Sequence, residues 1–168
     1  MEIKVKKLTD ISYVRWACNL TTDGKSAKNV QLADIYKSEH SPMRTQLFVI
    51  EMNNIPAFVS VHFVRHTQGV THFCKSLRDD RGGTGDEDRW TLTRHGMLLN
   101  AQALVNMARK RLCYKSHPET VKVMRAIRKT VDKTDPALAA CMVPECVYRG
   151  SCHEKEPCGI IRRLDEIV

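Results

Sequence analysis

Residues 45–66 read TQLFVIEMNNIPAFVSVHFVRH. The first eight (45–52) are mostly apolar and lie between Pro42 and the pair Asn53–Asn54, the pattern of a buried strand. Pro56 suits the first position of a helix, where its missing N–H is not needed. AFVSVHFVRH (57–66) then reads as a helix, with Val61 and Val64 on a core stripe. His62, Arg65 and His66, spaced i, i+3, i+4, share another face. The stretch thus predicts a buried strand, a proline, and a short helix that presents cations.

The cations continue downstream. Residues 62–78, HFVRHTQGVTHFCKSLR, hold three histidines, two arginines, a lysine, a cysteine and a serine. Arg65, His66, Lys75 and Arg78 suit phosphate oxygens, arginine in bidentate fashion, and Ser76 adds a hydroxyl donor. The bland alternative is a solvated basic loop with His62 as a core histidine. Ser76 has no Ser-His-Asp arrangement around it, so it does not read as a hydrolytic nucleophile.

The 168 residues suggest one domain, and 42% hydrophobic with 27% charged content excludes a disordered chain. A net charge of +8 implies an anionic partner, either nucleic acid or a phosphorylated small molecule. No signal peptide and no apolar run of membrane-spanning length is visible, so a soluble, cytoplasmic protein without a membrane partner is expected. P-loop, GxGxxG and HExxH patterns are absent, and GGTG (82–85) is a lone glycine cluster.

Around the opening stretch the pattern is mainly helical. A helix is expected over 11–20, a loop over 21–29, and a second short helix over 30–40 ended by Ser41–Pro42. Residues 78–89 read as a polar, glycine-rich loop. From Met97, MLLNAQALVNMARKRLCY predicts a helix with Leu98, Ala101, Leu104, Val105, Ala108 and Leu112 on its buried stripe. Asn100 and Arg111, eleven residues or about three turns apart, then face one side. Asn100 and Asn106 lower helix propensity and either bond something specific or point to solvent. Further helices follow from Pro118 and from Asp135, and the tail reads as irregular. Helices, one strand, then helices argue an α+β class.

Seven cysteines in a cytoplasmic chain suggest thiols or metal ligands rather than disulfides. Cys141, Cys146, Cys152 and Cys158 follow C-x4-C-x5-C-x5-C, without the tight C-x2-C of a strong zinc signature. They either close on zinc or an iron–sulfur cluster, or stay structural thiols. Cys18, Cys74 and Cys113 read as isolated buried thiols.

Taken together, EHSP (39–42), the strand 45–52, IPAFVSVHFV (55–64) and RHTQGVTHFCKSLR (65–78) resemble the flavin-dependent thymidylate synthases, marked by RHRxxSxNExSxR. NAQALVNMARKR (100–111) resembles that family's later N-x-R-S-L-x-N-F-x-x-x-R, keeping both asparagines and the last arginine. The likeness spans roughly residues 10–130 and is greatest to short, phage-type members with a cysteine-bearing tail. It implies an α+β fold, an antiparallel sheet flanked by helices with a long C-terminal helical region. It also implies a synthase-like domain over 1–135 and a cysteine-containing tail over 136–168. The implied activity is FAD-dependent methylation of dUMP to dTMP with methylenetetrahydrofolate and NADPH, in a homotetramer with sites at subunit junctions. The compartment is the cytoplasm, the host's if the gene is a phage's. By position, His40, Ser41, Arg65, His66, Asn100 and Asn106 would hold FAD. Ser76, Arg78 and Arg111 would serve the nucleotide and the reaction.

The sequence departs from the pattern at several positions. Thr67 replaces the motif's second arginine, the Asn-Glu pair gives way near His72 and Phe73, and Ser76 and Arg78 sit one residue late. His62 stands for a glutamine and Gln102 for an arginine. Two alternatives therefore stay open. One keeps the fold with an altered reaction, such as pyrimidine hydroxymethylation or methylation of a nucleic-acid base. The other is a non-catalytic, basic nucleic-acid-binding protein with a cysteine-bound metal, for which 6% aromatic content offers few stacking platforms.

Overall fold

The computed structural model describes residues 1–23 and 29–160. Part of the loop expected over 21–29 and the end of the tail (161–168) lie outside them. The elements in order are β1 (Glu2–Lys7), α1 (Ile11–Thr22), α2 (Leu32–Lys37), a 3-10 turn (Ser41–Thr45), β2 (Leu47–Pro56) and α3 (Ala57–Val64). After these come β3 (Val70–Cys74), a second 3-10 turn (Asp79–Arg81), β4 (Leu92–Asn100), α4 (Ala101–Arg111), α5 (Pro118–Thr134), α6 (Pro136–Cys141) and α7 (Glu145–Arg149).

The strands form one antiparallel sheet in the order β1-β2-β4-β3. β2, the strand of the opening stretch, runs four residues past Met52. A bulge between Asn53 and Ile55 lets it pair through to Pro56 against Leu92. Asn54 takes the left-handed conformation there (φ 56°), which asparagine tolerates. Pro56 is the last strand residue and precedes the helix instead of opening it.

Three strands escape the sequence reading. In β1, Ile3 and Val5 pack on the core while Lys4 and Lys6 face out. In β4, Thr93, His95, Met97 and Leu99 are buried and Leu92, Arg94 and Leu98 exposed, the period-2 alternation of a strand. Met97–Asn100 therefore ends β4 rather than beginning a helix, and Leu98 lies off the core stripe. α4 starts one residue later, capped by Asn100, whose Oδ1 accepts the Ala103 N–H at 2.9 Å. Asn100 thus precedes the helix, and the expected face shared with Arg111 does not exist. Val61 and Val64 are likewise exposed; Phe58, Val59 and Phe63 carry the core face of α3.

A single core holds the molecule. Phe48, Ile50, Met52, Met97 and Leu99 of the sheet meet Leu104, Val105 and Ala108 of α4 and Met124, Ile127 and Val131 of α5. From the segment expected as a tail, Leu138, Ala139 and Met142 join this core. Buried Asp135 locks that junction, accepting from Tyr36 (2.9 Å), Lys7 (2.6 Å) and the Leu138 N–H (3.1 Å). The α+β class, the antiparallel sheet and the long helical C-terminal region are as expected. Among the described residues, no helix is long and apolar enough to cross a membrane.

Candidate active site

The end of α3 meets the end of α4 and the start of α5, and cations converge there. Arg111 donates from Nε to His66 Nε2 (2.9 Å) and from Nη2 to the His62 carbonyl (2.7 Å). His62 Nδ1 meets Thr120 Oγ1 at 2.8 Å. Burial lowers the pKa of His62, and Arg111, Arg65, His117 and Arg89 lower it further. Burial and Arg65 together lower that of Arg111. Among the described residues, Arg65, Arg89 and Arg111 form no ion pair with a carboxylate. Uncompensated positive charge of this kind attracts an anion. Beside it Phe58, Trp90, His62 and His117 pack edge to face, and the Arg89 guanidinium lies 4.8 Å from the Phe58 ring centre.

A chain of side chains runs inward from this point. The proton positions at its outer end follow from their partners. The His66 carbonyl only accepts, so His72 Nε2 donates to it (2.7 Å). His72 Nδ1 lies 2.9 Å from His95 Nε2, and His95 Nδ1 lies 2.9 Å from the Ser60 hydroxyl. His66 accepts the Arg111 bond at Nε2, so its proton sits on Nδ1. Burial, with Arg111 and His72 adding to it, holds His66 down to about 4. Burial and His72 do the same for His95, also to about 4. Both imidazoles are neutral at pH 7.

The other expected site residues are spread around this cluster. Arg65 is exposed, and its guanidinium makes no hydrogen bond with the described residues. Asn100 is bound to the chain at Gly69. The Gly69 carbonyl accepts the Asn100 N–H (3.0 Å), and a Cβ at Gly69 (φ 72°) would come within 2.6 Å of Asn100 Nδ2. Asn106 is exposed and accepts at Oδ1 from Gln102 (3.3 Å) and Arg109 (3.4 Å). His40 and Ser41 are exposed at the first 3-10 turn. Ser76 and Arg78 lie past β3, where Arg78 bonds Asp80 at 2.9 and 3.0 Å and its N–H meets Ser76 Oγ at 3.3 Å.

The tail cysteines divide. Cys141 neighbours Glu39, Arg109, Asp135 and Lys37. Cys146 neighbours Cys152, Cys113 and Cys158, so Cys113 is not isolated as the sequence suggests. Cys74 is exposed rather than buried, while Cys18 is buried as expected. Sequence reasoning missed Ser60, Trp90, His95 and His117. His95 had a signal, since a strand reading of TLTRHGMLL turns it inward.

No family model and no curated protein matches the sequence. Solved structures do match. Helicobacter pylori flavin-dependent thymidylate synthase ThyX, complexed with FAD and dUMP, superposes with a TM-score of 0.68 at 12% identity. The match covers 85% of this chain and 100% of that one. The UMP/dUMP methylase PolB of Streptomyces cacaoi, bound with 5-Br dUMP, gives 0.59 at 16% identity, covering 83% and 94%. The chain has the fold of the flavin-dependent thymidylate synthases. The resemblance read from the motifs around Arg65 and Arg111 thus holds in three dimensions, across nearly the whole length of enzymes of this fold.

Proposed function

We propose that the protein is an FAD-dependent methylase of a pyrimidine nucleotide, converting dUMP to dTMP with methylenetetrahydrofolate and NADPH. The observation that supports it best is the carboxylate-free group of Arg65, Arg89, Arg111, His62 and His117, placed on the fold of enzymes solved with FAD and dUMP. FAD suits the donors present. Arg65 offers an unpaired guanidinium to its phosphates, and His66 offers Nδ1–H. Asn106 keeps its amide nitrogen open among the described residues, and His40 and Ser41 lie exposed. Asn100, with Oδ1 engaged in capping, would contribute only Nδ2. When bound, FAD supplies hydride transfer from NADPH to the pyrimidine.

The protein's own part is binding and charge. Arg111 is oriented by two hydrogen bonds, keeps Nη1 open among the described residues, and stabilises negative charge developing on the pyrimidine. Ser76 and Arg78 take the nucleotide phosphate. Arg78 exchanges Asp80 for it at little cost, because an exposed ion pair contributes only about 0–1 kcal/mol. The open position of Arg65, His40 and Asn106 suits a site completed by a second copy in a homotetramer.

One observation favours a second reading, an altered one-carbon product or a different pyrimidine on the same fold. Where the motif expects Asn-Glu, His72 is fixed between His95 and the His66 carbonyl. The test is the visible spectrum of purified protein with and without added FAD, followed by turnover of dUMP, dCMP and a polynucleotide. Flavin bands and dTMP formation support the first reading. Flavin with turnover of dCMP or polynucleotide alone selects the second, and no flavin binding overturns both.

A further inference from the structure

Four cysteines face one cavity whose lining includes none of the histidine chain. Cys113 follows the end of α4, Cys146 lies on α7, and Cys152 and Cys158 belong to the irregular segment after it. All four line a cavity of about 500 Å³. Cys152, Cys113 and Cys158 are the neighbours of Cys146, so the four sulfurs share one neighbourhood. Over 149–157, Cys152 alone is not exposed, and Cys158, next after that stretch, is also part-covered.

Beyond the Tyr148 ring, which lies 3.5 Å from the Arg109 guanidinium, little else holds that segment. Val147 and Tyr148 are exposed, and its ion pairs are surface ones, such as Lys115–Glu156 at 3.8 Å. A stretch without a core of its own is usually stapled by a disulfide or a metal.

We propose that Cys113, Cys146, Cys152 and Cys158 bind one zinc ion as thiolates, pinning the tail across the end of α4, and that Cys141 takes no part. Iron–sulfur runs include a C-x2-C pair, whereas Cys146, Cys152 and Cys158 have five residues between each and the next. Zinc needs only four thiolates at tetrahedral corners. Among the described residues, no three His, Cys, Asp or Glu side chains already stand in metal-ligating geometry. The sulfurs therefore draw together on the ion, releasing their protons, as the left-handed turns at Gly150 and Gly159 permit.

The test is metal analysis of the full chain purified without a metal-affinity tag. About one zinc per chain is expected. Cys113→Ser and Cys158→Ser lose it, while Cys141→Ser and Cys74→Ser retain it. Absence of zinc, iron with acid-labile sulfide, or loss of zinc in Cys141→Ser with retention in Cys113→Ser overturns the proposal. Should the serine variants fail to fold, cobalt(II) added to chelator-stripped native chain decides. The intense visible absorption of a tetrahedral tetrathiolate supports the site, and its absence overturns it.

Discussion

Arg109 and Arg111 stand two residues apart in the last turn of α4 and do opposite things. Arg109 is buried and ion-paired with Glu39, which Gln102 also bonds at 2.9 Å, and the Tyr148 ring lies 3.5 Å from its guanidinium. Burial alone would raise the pKa of Glu39, yet the bonds from Arg109, Gln102 and Tyr148 outweigh it and hold the carboxyl low. Among the described residues Arg111 pairs with no carboxylate; its company is Arg65, His62 and His66. Identical side chains on one helix turn are thus separated by the sign of what faces them. A neutralised cation holds the fold together, and an unneutralised one is available to an anion.

Removing either arginine tests that contrast. Arg109→Ala leaves part-buried Glu39 without its cation, and unfolding by denaturant should show a loss of about 2–4 kcal/mol. Pairing it with Glu39→Gln should restore a good part of this. A loss below about 1 kcal/mol would make the pair an ordinary surface one. Arg111→Gln should behave in reverse. It relieves repulsion with Arg65 and leaves stability nearly unchanged. It should weaken nucleotide binding about 10–100-fold, the worth of a hydrogen bond to a charged group. Unaltered affinity in calorimetry would strip Arg111 of its assigned role.

The sequence made Arg111 legible and Arg109 invisible. The spacing from Asn100 to Arg111 matched a motif, whereas the partner of Arg109 is Glu39, seventy residues away in sequence, which no local pattern reports. The same limit explains the missed strands. β1 is short and lysine-rich, and β3 and β4 become strands by pairing with each other and with β2. In MLLN, apolar side chains on both faces of the sheet imitate a helix stripe. Asp10 before α1, Pro118 in α5 and Asp135 before α6 do mark helix starts, because their signals are local, whereas Pro56 and Met97 were overridden by pairing in the sheet.

The two arginine regions also differ in what pH does to them. His66 and His95 are held at about 4 against an ordinary 6.5. Unfolding restores the ordinary value. Between pH 6.5 and 4 the unfolded chain therefore binds more protons, and the fold loses stability as pH falls. Above 6.5 these groups contribute no slope. Thermal unfolding across that window should show the decline, and His95→Gln should make it shallower. An equally steep decline in the variant would show that His95 titrates normally. Glu39, held below its ordinary 4.5, contributes stability that is fully present above 4.5 and is lost only as pH falls below it.

A third arginine gives the smallest effect and the finest distinction. Arg78 is exposed, with only Asp80 and Ser76 as partners. Arg78→Ala should change stability by no more than about 1 kcal/mol, because an exposed pair gains little over its hydrated parts. Its worth lies in exchange: a phosphate offers the guanidinium the same bidentate geometry as Asp80, with more charge. Nucleotide affinity in Arg78→Ala should therefore fall up to about tenfold, and Asp80→Asn, which frees the arginine, should raise affinity. If both variants bind nucleotide like the parent, Arg78 belongs with the solvated surface, and the working cations reduce to those gathered around Arg111.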